Sequence, residues 1–325
     1  MPFKMLFLPP TDDRVREVAN AVAKAVPDAR VVVAESDREA AREIVDADAA
    51  YGRVDPEILP GAARLRWLMS PAIAPPTGYY YPELAAHPVV VTNPRGIFND
   101  RIPAHIVMYV LAFARSLHRY FRQQLRGEWK PLGSDGTDDS VVHLPEATAL
   151  VVGVGEIGAE TARLLSAFGV RVVGVDARRA EKPEGVAELH RPDGLDRLLP
   201  QADFVILTIP HTPETEGLFD ASKFRLMKRS AYFVNIGRGK TTRLDDLDRA
   251  LRDGTIAGAG LDVYEIEPLP ADHPLWTAPN TILTPHIAGH GPHLDQRRAE
   301  LTVENARRFA AGQPLLNVVD KARWF

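Results

Sequence analysis

The chain is predicted to be an α/β protein with two doubly wound parallel-sheet domains, one inserted in the other. Three observations predict it. Short apolar runs alternate with helical patterns over the first hundred residues, as parallel sheets covered on both faces require. A second such alternation follows a glycine-rich turn, Val151-Val152-Gly153-Val154-Gly155-Glu156-Ile157-Gly158, in the middle of the chain. After it come one more helix and an apolar tail, enough to return the chain to the first domain.

In order, Phe3–Leu8, Ala29–Val33, Leu65–Met69 and Val89–Thr92 read as strands. Asp12–Ala25 and Asp37–Val45 read as helices with Asp at the caps. From Asn99 a single long helix is expected, because Ile102, Ile106, Val107, Val110, Leu111, Ala114 and Leu117 recur at helical spacing; Gly127 stops it. Trp129 to Glu146, rich in turn formers, reads as an irregular connection. Ala147–Val152 and Val170–Val175 are strand-like and flank a helix at Ala159–Phe168. Phe204–Ile209, Ala231–Asn235, Ile256–Asp262 and Thr281–Leu283 complete the second sheet. A last helix, about Leu294 to Ala311, ends at Gly312, and the tail Pro314–Val319 is apolar enough to dock. The expected division is residues 1–98 with 291–325 around an inserted domain of residues 99–290.

Composition bounds the function. With 325 residues, 45% apolar and 25% charged, both domains can bury cores. A net charge of −4 and scattered Arg give no general attraction to nucleic acid or anionic membrane. The absence of cysteine excludes disulfides, thiolate metal sites and a cysteine nucleophile. The apolar start before Pro9-Pro10 is too short for a signal peptide, and Ile106–Ala114 is too short for a membrane span, so a cytoplasmic protein is expected.

Strand, Gly-x-Gly-x-x-Gly and helix together form a dinucleotide site. Gly153 permits the tight turn, Gly155 lets the backbone approach a pyrophosphate, and Gly158 lets helix and strand pack closely. The helix N-terminus adds N–H groups and a partial positive charge. Asp176, 18 residues beyond Gly158 at the end of the next strand, offers a carboxylate to the adenosine ribose. That carboxylate favours NAD, whereas Arg178 and Arg179 leave NADP as the alternative, since an arginine there accepts a 2′-phosphate.

Three polar residues follow later strands of the same sheet: Arg238, Glu267 and His286. Ligands bind outside the carboxyl ends of such strands, so all three face one crevice. Each alone has a plain alternative: a solvated loop charge, an exposed turn residue before Pro268, and a hydrogen-bonded core histidine. A metal reading of His286, His290 and His293 fails, because Gly289, Gly291 and Pro292 interrupt it and no Cys or Asp completes a set; no metal is expected.

With these motifs in order, the chain resembles the D-isomer-specific 2-hydroxyacid dehydrogenase family over essentially its whole length. The resemblance is strongest in Gly153–Gly158, Thr208–Thr215, Met227–Gly239, Gly258–Pro270 and Thr284–Gly289. It implies a Rossmann NAD domain inserted in a flavodoxin-like substrate domain. It implies hydride transfer between the nicotinamide and a small 2-keto or D-2-hydroxy acid of glyoxylate, pyruvate or hydroxypyruvate type. Arg238 would bind the carboxylate, His286 would exchange the proton, and Glu267 would orient the ring. It also implies cofactor contacts at Glu156, Ile157, Pro210, Thr215, Ile236, Gly237, Asp262 and Gly289, with Asp262 accepting from the carboxamide. Thr215 has a helix cap as its alternative. Backbone donors to the substrate are implied at Ala72 and Ile73, although the loop Ser70–Pro76 lacks the family's glycine. His105 stands where Glu is common. Tyr79, Tyr80 and Tyr81 are candidates for the entrance, and Trp276 for a pocket wall or a core filler. A homodimer is implied. The other class of function in the family is an NAD-binding corepressor-like scaffold with little turnover.

Overall fold

The computed structural model describes residues 1–73, 78–133 and 141–322. The chain divides into two compact units, Met1–Ile97 with Gly291–Phe325, and Phe98–His290.

The first unit holds β1 (Phe3–Phe7), β2 (Ala29–Val33), β3 (Ala49–Tyr51), β4 (Trp67–Met69) and β5 (Val90–Thr92). All pairings are parallel and the order is β2-β1-β3-β4-β5, which is the flavodoxin-like winding. Alternate residues bury opposite faces. Leu6, Ala50, Leu68 and Val91 enter one core, and Met5, Phe7, Ala49, Trp67 and Met69 the other. The helix Leu294–Ala310 packs on the second of these through Val303 and Ala306. The apolar tail docks as expected: Val319 N donates to Val91 O at 2.8 Å, and Asn305 bonds both ways with Leu316.

The second unit holds β6 (Thr148–Val152), β7 (Arg171–Val175), β8 (Val186–His190), β9 (Phe204–Leu207), β10 (Tyr232–Asn235), β11 (Gly258–Leu261) and β12 (Thr281–Leu283). Their order is β12-β11-β10-β9-β6-β7-β8, again all parallel. This is the Rossmann winding with an added strand, and the order reverses between β6 and β9. Both faces are covered, which explains the near-continuous apolar runs read from the sequence.

Four expectations are corrected. β3 was not expected: Ala-Ala-Tyr carries no β-branched signal, yet full burial makes small residues fit a central strand. β8 was not expected either, because it is half-exposed at the sheet edge and polar in part. The long helix from Asn99 is two, Ile102–Ala114 and Leu117–Leu125, broken at Ser116 with φ +52°. Leu117, counted in the periodic stripe, is therefore exposed. The second helix of the chain is capped by Ser36, whose Oγ accepts from Glu39 N, and not by Asp37. Residues 74–76 of the proposed substrate loop and 134–140 of the irregular connection lie outside the described residues. Among the described residues, no helix is long and apolar enough to cross a membrane.

Candidate active site

The turn after β6 is shaped by its glycines. Gly153 has φ +94°, and a Cβ there would stand 2.8 Å from Ile209 Cγ2. A Cβ on Gly158 would collide with the carbonyl oxygen of Gly153, so the helix Glu156–Ala167 could not sit this close to the strand. Gly155 differs from both: its φ is −72° and nothing lies within 4 Å of a Cβ built on it. This open side is where a phosphate would approach, beside a helix N-terminus that no side chain caps. Thr208, at the end of β9, ties the turn down through a short hydrogen bond to Gly153 O.

Asp176 follows β7. Its Oδ2 accepts from Val154 N at 2.8 Å, and its Oδ1 accepts from Arg178 N and Arg179 N, both at 2.7 Å. Arg179 Nε returns a bond to Val154 O at 2.6 Å. One carboxylate thus joins the glycine turn to the next loop, with acceptor capacity left for a ribose hydroxyl. The cradle fits a dinucleotide: open backbone for the pyrophosphate, and an acid at the ribose position.

Arg238, Glu267 and His286 all lie in this unit, after β10, β11 and β12. The loop of Arg238 is built on Asn235, whose buried amide donates to Arg238 O, Thr241 Oγ1 and Thr242 Oγ1 and whose Oδ1 accepts from Gly237 N. The Arg238 guanidinium donates to Gly237 O at 2.5 Å. Burial pushes its pKa down from the ordinary value, and the Glu267 carboxylate opposes that. Glu267 Oε1 accepts from Tyr264 N at 2.9 Å, and its Oε2 lies 2.6 Å from His286 Nδ1. The imidazole is half exposed, so one nitrogen is engaged and the ring remains reachable.

Beneath His286 lies a buried network that the sequence did not announce as a unit. The Asp262 carboxylate, 1% exposed, accepts from Thr284 Oγ1 at 2.5 Å, Ile287 N at 2.9 Å and Ala288 N at 2.8 Å. These bonds hold the loop around His286. Thr284 Oγ1 is also 2.6 Å from Tyr109 OH and 3.1 Å from His105 Nε2. Burial pushes the His105 pKa below its ordinary value, with Asp262 opposing. Tyr264 OH adds a bond to Thr284 O at 3.0 Å.

The other expected residues divide. Thr215 Oγ1 donates to Pro210 O at 2.7 Å and accepts from Thr212 N at 2.8 Å, closing the turn after β9. Ile236 is buried in the sheet core. A Cβ on Gly237 would stand 2.6 Å from Ile209 O, and one on Gly289 would stand 2.9 Å from Phe98, so both glycines serve close packing. Ala72 and Ile73 belong to the other unit, after β4. Ser70 Oγ bonds to Ala72, and Asn93 Nδ2 donates to Ile73 O at 3.1 Å. Tyr79 and Tyr81 are buried, their hydroxyls donating to Gly52 O and Val54 O, so they are braces of the fold. Trp276 is 51% exposed with its Nε1 on Pro270 O, which removes the core-filler alternative.

Comparison with known proteins agrees with this fold. A sequence profile described as the NAD binding domain of D-isomer specific 2-hydroxyacid dehydrogenase matches residues 107–288. A glyoxylate reductase of Thermofilum pendens is 32% identical over 297 residues, covering 88% of this chain and 85% of its own. A D-isomer specific 2-hydroxyacid dehydrogenase of Xanthobacter autotrophicus, solved with NADPH and MES, matches with TM-score 0.85 and 28% identity over the whole of both chains. An NADPH-dependent glyoxylate/hydroxypyruvate reductase of Sinorhizobium meliloti, solved with NADP and sulfate, matches with TM-score 0.82 and 27% identity, covering 99% of this chain and 100% of its own.

Proposed function

The chain belongs to the D-isomer-specific 2-hydroxyacid dehydrogenase family, and on that premise we propose that Arg238, Glu267 and His286 interconvert a small 2-keto acid and its D-2-hydroxy acid. The reaction class is a 2-hydroxyacid dehydrogenation that uses NAD(P). The observation that carries the assignment of residues is the 2.6 Å contact between His286 Nδ1 and Glu267 Oε2. It keeps a proton on Nδ1, because the carboxylate only accepts, and leaves Nε2 to exchange a proton with the substrate oxygen.

NAD(P)H, when bound, supplies two electrons and one hydrogen for reduction at C2 of the acid. Gly155, Glu156 and Ile157 would hold its pyrophosphate and Asp176 its adenosine ribose. In the reducing direction His286 Nε2 gives its proton to the keto oxygen, and in the oxidising direction it takes the hydroxyl proton back. Glu267 keeps the ring oriented through both. The fixed guanidinium of Arg238 binds the carboxylate and polarises the keto oxygen. In the first unit, Ala72 and Ile73 are proposed as backbone donors to a carboxylate ligand.

The curated relatives' names put glyoxylate and hydroxypyruvate first among substrates. We favour NAD because the Asp176 carboxylate opposes a 2′-phosphate, with NADP served by Arg178 or Arg179 as the alternative. The test is a panel of 2-keto acids with NADH and NADPH followed separately by absorbance. Oxidation of NADH by one member supports the reading, and silence with every member contradicts it. We also propose a homodimer, since Leu117, Phe121 and Leu125 form an exposed apolar stripe at helical spacing. Sedimentation should show a dimer that Phe121→Glu weakens; a monomeric wild type would remove the proposal.

A further inference from the structure

His286 has φ +54°, a left-handed conformation uncommon for a residue with a side chain. Such a residue keeps its conformation only where its surroundings over-determine it, against a cost of about 1–3 kcal/mol. Here the surroundings are Thr284, Ile287 and Ala288, on both sides of it, all bonded to the Asp262 carboxylate. Thr284 has one hydroxyl proton, and the 2.5 Å distance to Asp262 Oδ1 assigns it there, since a carboxylate cannot donate. The Thr284 oxygen is then left only to accept. Tyr109 OH has a single proton to divide between Thr284 Oγ1 at 2.6 Å and Leu261 O at 2.9 Å. The remaining donor is His105, whose Nε2 lies 3.1 Å from Thr284 Oγ1 and 3.9 Å from Asp262 Oδ1. Its tautomer follows: Nε2 carries hydrogen. The ring is held edge-on against Tyr109, with centroids 4.8 Å apart.

We infer that His105 is a positioning residue for His286: from the helix Ile102–Ala114 it donates through Nε2 to Thr284 and so completes the buried network that fixes the loop bearing the proton donor. His105 sits 181 positions before His286 in the chain and needs no contact with substrate or cofactor to act. The inference rests on the proposed role of His286 for its catalytic consequence, but its structural part stands apart from that role.

The experiment compares wild type, His105→Ala, His105→Gln, Thr284→Val and the double variant His105→Ala/Thr284→Val. Each is measured for kcat, for KM of the best 2-keto acid, for NADH affinity, and for hydrogen exchange at the Ile287 and Ala288 amides. His105→Ala is expected to lower kcat by roughly 10-fold, with NADH affinity within about twofold of wild type, as for a misplaced but intact catalytic group. His105→Gln, which keeps an N–H near the same place, should recover most of the loss. Thr284→Val, which also loses the Asp262 and Tyr109 bonds, should lose at least as much as His105→Ala, and the double variant no more than Thr284→Val, because the His105 donor acts only through that hydroxyl. The Ile287 and Ala288 amides should exchange roughly 10-fold faster in His105→Ala. Unchanged kcat, additive losses, no recovery with Gln, or a loss of kcat without faster exchange would each overturn the inference. If the wild type turns over no 2-keto acid, the functional reading fails, and the exchange measurement alone decides whether His105 sets the loop.

Discussion

The glycine turn after β6 and the His286 loop after β12 lie at the same ends of strands in one sheet, yet they are held by different means. The first owes its shape to the absence of side chains, with Thr208 and Asp176 tying it to the neighbouring strand ends. Gly158 and Gly153 stand where a Cβ would meet a backbone oxygen or Ile209, and Gly155 keeps an open face. The second is fixed by buried and half-buried side chains drawn from Ile102–Ala114, the residue after β11 and the residue after β12, which meet at Thr284 Oγ1. A turn built from glycine presents a rigid backbone to a ligand that needs only N–H groups and space. A loop that must hold an imidazole in a left-handed conformation needs several bonds from outside itself.

Variants can break this contrast, and the largest expected effect lies at His286, the proposed proton donor. His286→Ala should lower kcat by about 10²–10⁴-fold, the usual contribution of a general acid–base group, with NADH affinity intact. An equal collapse of NADH affinity in a fluorescence titration would mean that the loop shapes the cofactor site instead. Arg238→Lys keeps the charge and loses the planar fork, so kcat/KM for the keto acid should fall by about 10- to 150-fold, the equivalent of about 1.5–3 kcal/mol.

The glycines sharpen the other side. Gly158→Ala should cost about 1–3 kcal/mol in urea unfolding, because helix and strand must separate. Gly155→Ala should leave stability within about 0.5 kcal/mol but weaken NADH binding, since its new methyl points into open space. If the two variants behaved alike, the division between packing and ligand approach would be wrong.

The smallest effect concerns a second buried imidazole, His118. The ring lies edge-on to Phe113, with centroids 5.1 Å apart. Burial pushes its pKa down to about 4, opposed by the Ala112 backbone and the Asn280 side chain, with Arg122 and Arg119 adding repulsion. The unfolded chain takes a proton near pH 6.5 while the folded chain refuses it until near pH 4. Stability is therefore full above pH 6.5 and is lost as pH falls between those values. At pH 5.5 the loss should be about 1 kcal/mol, and His118→Phe should abolish that part of the acid sensitivity. An unaltered pH profile of stability in the variant would refute the assignment.

What could be read from the sequence follows the same contrast. The glycine turn, Asp176 and the order of the long strands were legible because local backbone geometry dictates residue type there. Arg238, Glu267 and His286 were legible only as an ordered set, since each alone fits a surface or core role. Asn235, Thr284 and the links of His105 and Tyr109 to Asp262 were not legible. They join residues up to 179 positions apart in the chain, and no local pattern marks such a pair. The break at Ser116 was missed because apolar spacing continues across it, although the axis does not. β3 was missed because complete burial, a tertiary fact, overrides the weak strand propensity of Ala49 and Ala50.

The most direct test of the central claim is the identity of the product. The protein would be incubated with pyruvate or hydroxypyruvate and either NADH or NADPH, and the hydroxy acid resolved on a chiral column against the cofactor consumed. One D-2-hydroxy acid formed for each NADH oxidised, with NADPH slower, is the predicted result. The L-isomer, or cofactor oxidation without a hydroxy acid, would contradict the account.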